Sequence, residues 1–176
     1  MPLKHPWFST MKCILIVGIS GTGKSRFAKL LSEKLNLPVV NLDSIFWKEN
    51  WVEEDETTVE QMIAKEIAKE RWIIEGYIEP LSRQRVEAVD TVIYLDYLGY
   101  QAARGGLARM LKHSKTPRPE MPKGNVDKLS YKFLKSLYRR DERSEIERAI
   151  KGYDNVIRLK NRPATKRYLA LLDQAK

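Results

Sequence analysis

The sequence has a single cysteine, Cys13. No disulfide can form within the chain, and a lone cysteine inside an apolar run reads as a small buried residue. Its two histidines, His5 and His113, have no metal-ligand or catalytic partner at a recognisable spacing, so neither is given a role. No apolar stretch approaches the length of a membrane span, and residues 1–10 lack the apolar centre of a signal peptide. These absences point to the cytoplasm and to no membrane partner. There is no internal repeat, and no helix-turn-helix, zinc-finger or RNA-binding signature. Acids are scarce in one region: from Arg104 to Arg140 eleven Lys or Arg face only Glu120 and Asp127. The chain's net charge of +9 is therefore concentrated there. Such an excess suits nucleic acid, but it suits a site for polyanionic nucleotides equally well.

What is present is a soluble, charge-rich composition, 43% hydrophobic and 31% charged over 176 residues, enough for one domain with a core. Met11-Lys12 reads as a second start, so residues 1–10 are expected to be an extension of a single 11–176 domain. The most specific stretch is Gly18-Ile19-Ser20-Gly21-Thr22-Gly23-Lys24-Ser25, after the apolar run Ile14–Val17 and before helically spaced Phe27, Leu30, Leu31 and Leu35. It fits G-x-x-x-x-G-K-[ST] without a mismatch. Glycines allow a backbone turn and a close approach to a ligand, and the loop N–H groups with the helix N-terminus make an anion site. Gly18, Ser20, Gly21, Thr22, Gly23, Lys24, Ser25 and Arg26 are thus the candidate nucleotide-binding residues. Lys24 would neutralise β- and γ-phosphate oxygens, and Ser25 would hold the magnesium ion bridging them. The cofactors implied are ATP and Mg²⁺.

Strand and helix patterns alternate. Strands are expected at Cys13–Val17, Val39–Leu42, Trp72–Ile74, Thr91–Leu95 and Val156–Leu159. Helices are expected from Lys24 to Leu35, Asp55 to Glu70 (with Thr57 and Glu60 at capping-box spacing), Leu81 to Val89 and Gln101 to His113. One long or two shorter helices fill Asp127 to Ile150, and another opens at Pro163. Ile45 to Trp51 fits neither period. Gly105-Gly106 should weaken the helix holding it, and the prolines and glycine of Ser114–Val126 make a loop. The fold class is α/β: a three-layer P-loop NTPase fold, a five-stranded parallel sheet with helices on both faces and a helical basic lid over 104–140. Ligands bind such sheets at the carboxyl ends of the strands. Asp43, Glu75 and Asp96 end strands there.

Phosphoryl transfer needs positioning, a metal ion and positive charge around the moving group. Asp43 ranks first, Glu75 second and Asp96 third as the acid that orders magnesium-bound water or orients an acceptor, with capping of the next helix as the plainer role. Arg104, Arg109 and Arg118 are favoured over Lys112 and Lys115 to close on the phosphates, because the guanidinium fork pairs with phosphate bidentately. Arg139 and Arg140 lie on the return helix. Arg83 and Arg85 could hold an anionic group of the acceptor. Trp47 and Trp51 could line its pocket or belong to a small core. The acceptor segment is 44–70, with Asp43, Trp47, Glu75 and Arg85 as substrate contacts and Ser25, Asp43 and Glu75 as metal contacts.

The order of segments resembles the adenylate-kinase-like P-loop kinases, and more narrowly the bacterial group known as "DNA topology modulation protein" or "adenylate kinase and related kinases". The resemblance covers nearly all of 11–172. Beyond the phosphate loop it rests on Leu42-Asp43-Ser44-Ile45-Phe46-Trp47-Lys48 with Trp51-Val52, Arg71–Gly76, Asp90–Asp96, and Arg118-Pro119-Glu120-Met121 with Phe133-Leu134. It implies ATP, magnesium, a short acceptor segment and an arginine-bearing lid, and leaves the acceptor open. The group has Asp-Gly-Asn-Tyr where this chain has Glu75-Gly76-Tyr77-Ile78, and the extra methylene is expected to move the carboxylate outward. The Asp-Gly-Phe-Pro-Arg signature of true adenylate kinases is absent. The first reading is therefore a phosphotransferase acting on a small molecule or nucleotide, such as a nucleoside monophosphate. The alternative is a nucleotide-gated DNA-binding or topology regulator with weak ATPase activity. A third is a switch with only slow hydrolysis.

Overall fold

The computed structural model describes residues 11–76 and 87–174. Its elements in chain order are β1 (Cys13–Val17), α1 (Lys24–Leu35), β2 (Val39–Asn41), α2 (Leu42–Phe46), α3 (Glu56–Ile67), β3 (Trp72–Glu75), β4 (Thr91–Leu95), α4 (Gly99–Lys112), α5 (Tyr131–Arg139), α6 (Arg143–Ala149), β5 (Val156–Leu159) and α7 (Arg162–Gln174). The five strands form one parallel sheet in the order β2-β3-β1-β4-β5. The expected helix over Leu81–Val89 falls largely outside the described residues.

The central strands are apolar on both faces because both are covered. Along β1, Cys13, Leu15 and Val17 join a core with α3, α4, α5 and α6, while Ile14 and Ile16 join a second core with α1 and α7. Strand β1 is also where the strand order reverses, which puts the loop after it at the ligand-binding crevice.

Several local expectations change. Helix α3 is capped by Asp55, whose carboxylate accepts the N–H groups of Thr57 and Thr58 at 3.1 and 3.0 Å. Asp55 lies two residues upstream of Thr57 and supplies two acceptors there. The irregular aromatic stretch is the short α2 and a 3₁₀ turn at Glu49–Trp51. The charged segment after Asp127 is two helices, with Arg140 at φ 61° ending the first.

The Gly105-Gly106 pair does not loosen α4, which is continuous. A Cβ on Gly105 would stand 2.0 Å from the Gly21 carbonyl oxygen, and one on Gly106 2.5 Å from Leu137 Cδ1. The pair lets α4 press its backbone against the phosphate loop on one side and α5 on the other. Residues 104–112, expected in a lid, are thus the second half of a packed helix. The segment that covers the crevice is the 113–130 loop. The loop's base is closed by the Asp127 N–H donating to the His113 carbonyl at 3.0 Å.

Candidate active site

One cavity of about 380 Å³ lies at the carboxyl edge of the sheet. Gly18, Ser20, Gly21, Gly23, Lys24, Ser25 and Arg26 line one wall of it, and Asp43, Glu75, Arg109 and Arg118 come from four other elements. The loop ends at Gly23, which has φ 90° and precedes the first turn of α1. Thr22 is buried and faces inward, its hydroxyl donating to the Ile19 carbonyl at 2.8 Å, so it braces the loop. Lys24 folds over the loop and donates from Nζ to the carbonyls of Gly18 (2.8 Å) and Ile19 (3.3 Å).

Glu75 is only 2% exposed. The extra methylene does not push its carboxylate out: Asn41 Nδ2 donates to Oε1, and the Ser25 hydroxyl hydrogen-bonds it. Burial raises its pKa above the ordinary carboxylate value, Lys24 and the Ser25 hydrogen bond pull it down, and Asp43 and Glu120 push it further up. A buried carboxylate beside a serine hydroxyl is a hard oxygen pair that fits magnesium. Among the described residues no group of three or more His, Cys, Asp or Glu could hold a metal by itself. Magnesium bound through few protein ligands and completed by substrate phosphates matches that donor set.

The arginines come next. Arg118, on the covering loop, is 7% exposed. Its Nη1 lies 3.3 Å from Asp43 Oδ2 and 3.8 Å from Glu120, and its Nε lies 3.6 Å from Asp127 Oδ2. Arg109 Nε is 3.5 Å from the same Asp127 oxygen, and its guanidinium stacks over Phe133 at 5.6 Å. Burial first, then the charge of Arg118, lowers the pKa of Arg109, with Asp127 opposing. Neither Nε makes a hydrogen bond. Two guanidinium groups pushed together on one carboxylate are a ready receptor for a further polyanion.

Other candidates lie elsewhere. Arg104 is exposed on α4 and does not line the cavity, because the face of that helix toward the loop is the one carrying Gly105 and Arg109. Trp47 packs edge-on against Trp51 at 5.4 Å and borders a separate open hollow with Val52, Met62 and Pro122. Arg83 and Arg85 lie outside the described residues. Arg139 is exposed beside Asp141.

Asp96 is held in an ion cluster away from the cavity. Arg140, Arg143 Nε (3.2 Å) and Arg158 Nη1 (3.3 Å) converge on its carboxylate. Burial pushes its pKa up, but hydrogen bonds and charge from Arg143, Arg140 and Arg158 outweigh that and hold it below the ordinary value. A depressed acid contributes stability that is present above its unfolded pKa and lost as pH falls through the folded one, here below about pH 4. Asp96→Asn leaves three arginines facing one another. It is expected to cost about 2–3 kcal/mol, the lower end for a broken buried pair because the arginines are partly exposed. Thermal melts check this, and an unchanged melt would mean that the cluster does not hold the fold.

The cavity also recruits residues given no such role from the sequence: His113, Glu120, Glu142 and Arg162. Arg162 opens α7 just past β5, so the strand-end rule, applied to bases as well as acids, would have found it. Lys112, ranked behind the arginines, lines the cavity too.

An AAA domain family matches residues 14–97, the span from β1 past β4 that carries the phosphate loop, Asp43 and Glu75. A shikimate kinase from Sulfurihydrogenibium sp. (strain YO3AOP1) is 37% identical over 79 residues, covering 45% of this chain and 40% of that protein. The chain thus matches about two-fifths of that relative's length. Among solved structures, shikimate kinase from Acinetobacter baumannii in complex with shikimate aligns over 96% of this chain and 94% of its own, with TM-score 0.59 and 17% identity. A gluconokinase from Sinorhizobium meliloti 1021 aligns over 93% and 92%, with TM-score 0.54 and 15% identity. The fold is that of the P-loop kinases. In this chain the loop after β1 shares one cavity with Asp43, Glu75, Arg109 and Arg118.

Proposed function

We propose that this chain is an ATP- and magnesium-dependent phosphotransferase that moves the γ-phosphoryl group of ATP to a hydroxyl of a small-molecule acceptor. The observation that carries it is the single cavity joining Lys24 and Ser25, the buried Glu75, the half-exposed Asp43, and Arg109 with Arg118. Its lining holds six Lys or Arg side chains against four carboxylates, a balance suited to a triphosphate. The names of the similar proteins, a shikimate kinase and a gluconokinase, favour a small hydroxylated acceptor over a nucleoside monophosphate. Within the P-loop kinases, the Leu42–Lys48 and Arg118–Met121 segments favour the adenylate-kinase-like group.

The roles follow from position. The loop N–H groups and Lys24 hold the β- and γ-phosphates. Ser25 and Glu75 hold the magnesium ion, which when bound neutralises phosphate charge. Asp43 accepts the acceptor hydroxyl proton as that oxygen bonds to the γ-phosphorus. The bond from phosphorus to the β–γ bridging oxygen breaks, and ADP leaves with the electron pair. Arg118 and Arg109 exchange part of their contact with Asp43 and Asp127 for the phosphoryl oxygens, where charge develops.

The test is ATP turnover with magnesium across nucleoside monophosphates, nucleosides and small hydroxylated acids. The proposal expects one acceptor to raise ADP release far above the water rate. If none beats water while ATP still binds, the phosphotransferase reading fails.

A further inference from the structure

The covering loop is fastened to the acceptor segment by a residue with no place in the chemistry above. Asn125 is 0% exposed. Its carboxamide oxygen accepts the Trp51 backbone N–H at 2.6 Å, and its Nδ2 donates to the Lys48 carbonyl at 2.9 Å. Beside it, Trp51 Nε1 donates to the Val126 carbonyl at 3.1 Å, and the Asn50 N–H to the Lys123 carbonyl at 3.4 Å. The fit leaves no slack: a Cβ on Gly124 would stand 2.2 Å from Asn50 Oδ1.

The partner side is held in an uncommon conformation. Asn50 and Trp51 have φ of 60° and 59° in succession. For a tryptophan that is an outlier, which persists only where surrounding contacts impose it. Asn125 supplies such a contact by capturing the Trp51 N–H. The same loop carries Arg118, whose own contacts are loose: a single long hydrogen bond to Asp43 at 3.3 Å, ion pairs at 3.6 and 3.8 Å, and an Nε without a hydrogen bond. Those contacts do not fix a guanidinium.

We infer that Asn125 is a positioning residue: it seats the 113–130 loop on the 48–51 turn and thereby sets Arg118 against Asp43 over the reacting phosphate. The loop and the acceptor segment then move as one body, so acceptor binding and the delivery of Arg118 are one event. The inference rests on the phosphotransferase reading for its kinetic consequence, though not for the clasp itself.

A double-mutant cycle tests it. ATP turnover is measured for the full chain, Asn125→Ala, Arg118→Ala and the double variant, with AMP-PNP affinity by calorimetry. Asn125→Ala should lower turnover about tenfold while AMP-PNP affinity stays within threefold. In the Arg118→Ala background it should cost less than twofold, because the residue it acts through is gone. Losses that multiply independently overturn the inference. If Asn125→Ala fails to fold, Asn125→Asp keeps an acceptor for the Trp51 N–H and replaces it in the same cycle. If AMP-PNP does not bind the unaltered chain, the nucleotide reading fails, and acrylamide quenching of tryptophan fluorescence decides the clasp. Asn125→Ala should raise the quenching, and an unchanged value overturns the clasp as well.

Discussion

Lys24→Met is expected to reduce ATP turnover about a thousandfold while the fold melts nearly as before. The substitution keeps the length of the apolar stem and removes only the ammonium. In the structure that ammonium donates to two loop carbonyls, Gly18 and Ile19 at 2.8 and 3.3 Å. A carbonyl orients a cation without cancelling its charge, so a phosphate arriving over the loop takes up an interaction already aimed and partly stripped of water. An aimed donor that meets charge as it develops is worth about 10²–10³ in rate, and here it also contributes to binding the ground state. The two hydrogen bonds lost in the empty protein are worth about 1–3 kcal/mol together, and the retained stem offsets part of that. ADP release, calorimetry with ADP, and a thermal melt separate the effects. Turnover within tenfold of the unaltered chain, with the melt unchanged, would remove Lys24 from the chemistry.

What the sequence makes legible is what is local. Gly18 to Ser25 is a contiguous loop whose geometry its own glycines determine, and the central strands β1, β3 and β4 announce themselves because both faces of each are buried. The ordering of Asp43, Glu75 and Asp96 is not legible, because what separates them is distant in the chain. Asp96 meets Arg140, Arg143 and Arg158, 44 to 62 residues away. Glu75 is held by Asn41 and Ser25 across neighbouring elements. Gly105 shows the same limit from the other side. Local propensity counts it against the helix, yet the constraint on it is the Gly21 carbonyl, 2.0 Å from where a Cβ would stand. Asn125 carries no sequence signal at all: an asparagine in a Pro- and Gly-rich loop reads as a turn residue, and only the positive φ of Trp51 opposite reveals its use.

Glu75→Gln is expected to stabilise the ligand-free protein and to disable it. Burial is the largest influence on this carboxyl and raises its pKa. An acid whose folded pKa exceeds its unfolded value favours the fold when protonated. That contribution is complete below the unfolded pKa, near 4.5, and is lost as pH rises through the folded value. Above the folded value Glu75 is therefore a net cost to the empty fold, although Lys24 reduces it. Glutamine keeps an oxygen for Asn41 Nδ2 and offers an N–H₂ to the Ser25 hydroxyl, so shape and hydrogen bonding survive while the buried charge is gone. The melting temperature should rise by a few degrees at pH 7.5, at about 2–4 °C per kcal/mol for a chain of this size. The difference should close toward pH 4.5. Turnover should fall by about 10²–10³, as for loss of one charge-stabilising group. The affinity for AMP-PNP should become nearly the same with magnesium as with EDTA. A lower melting temperature for Glu75→Gln at pH 7.5 would mean that attraction to Lys24 outweighs the desolvation of Glu75. A magnesium dependence left intact would move the metal to Asp43. A carboxylate that destabilises the empty fold and is required by the loaded one is the signature of a residue placed for a ligand, since in the unliganded protein Lys24 and Ser25 offset only part of its burial.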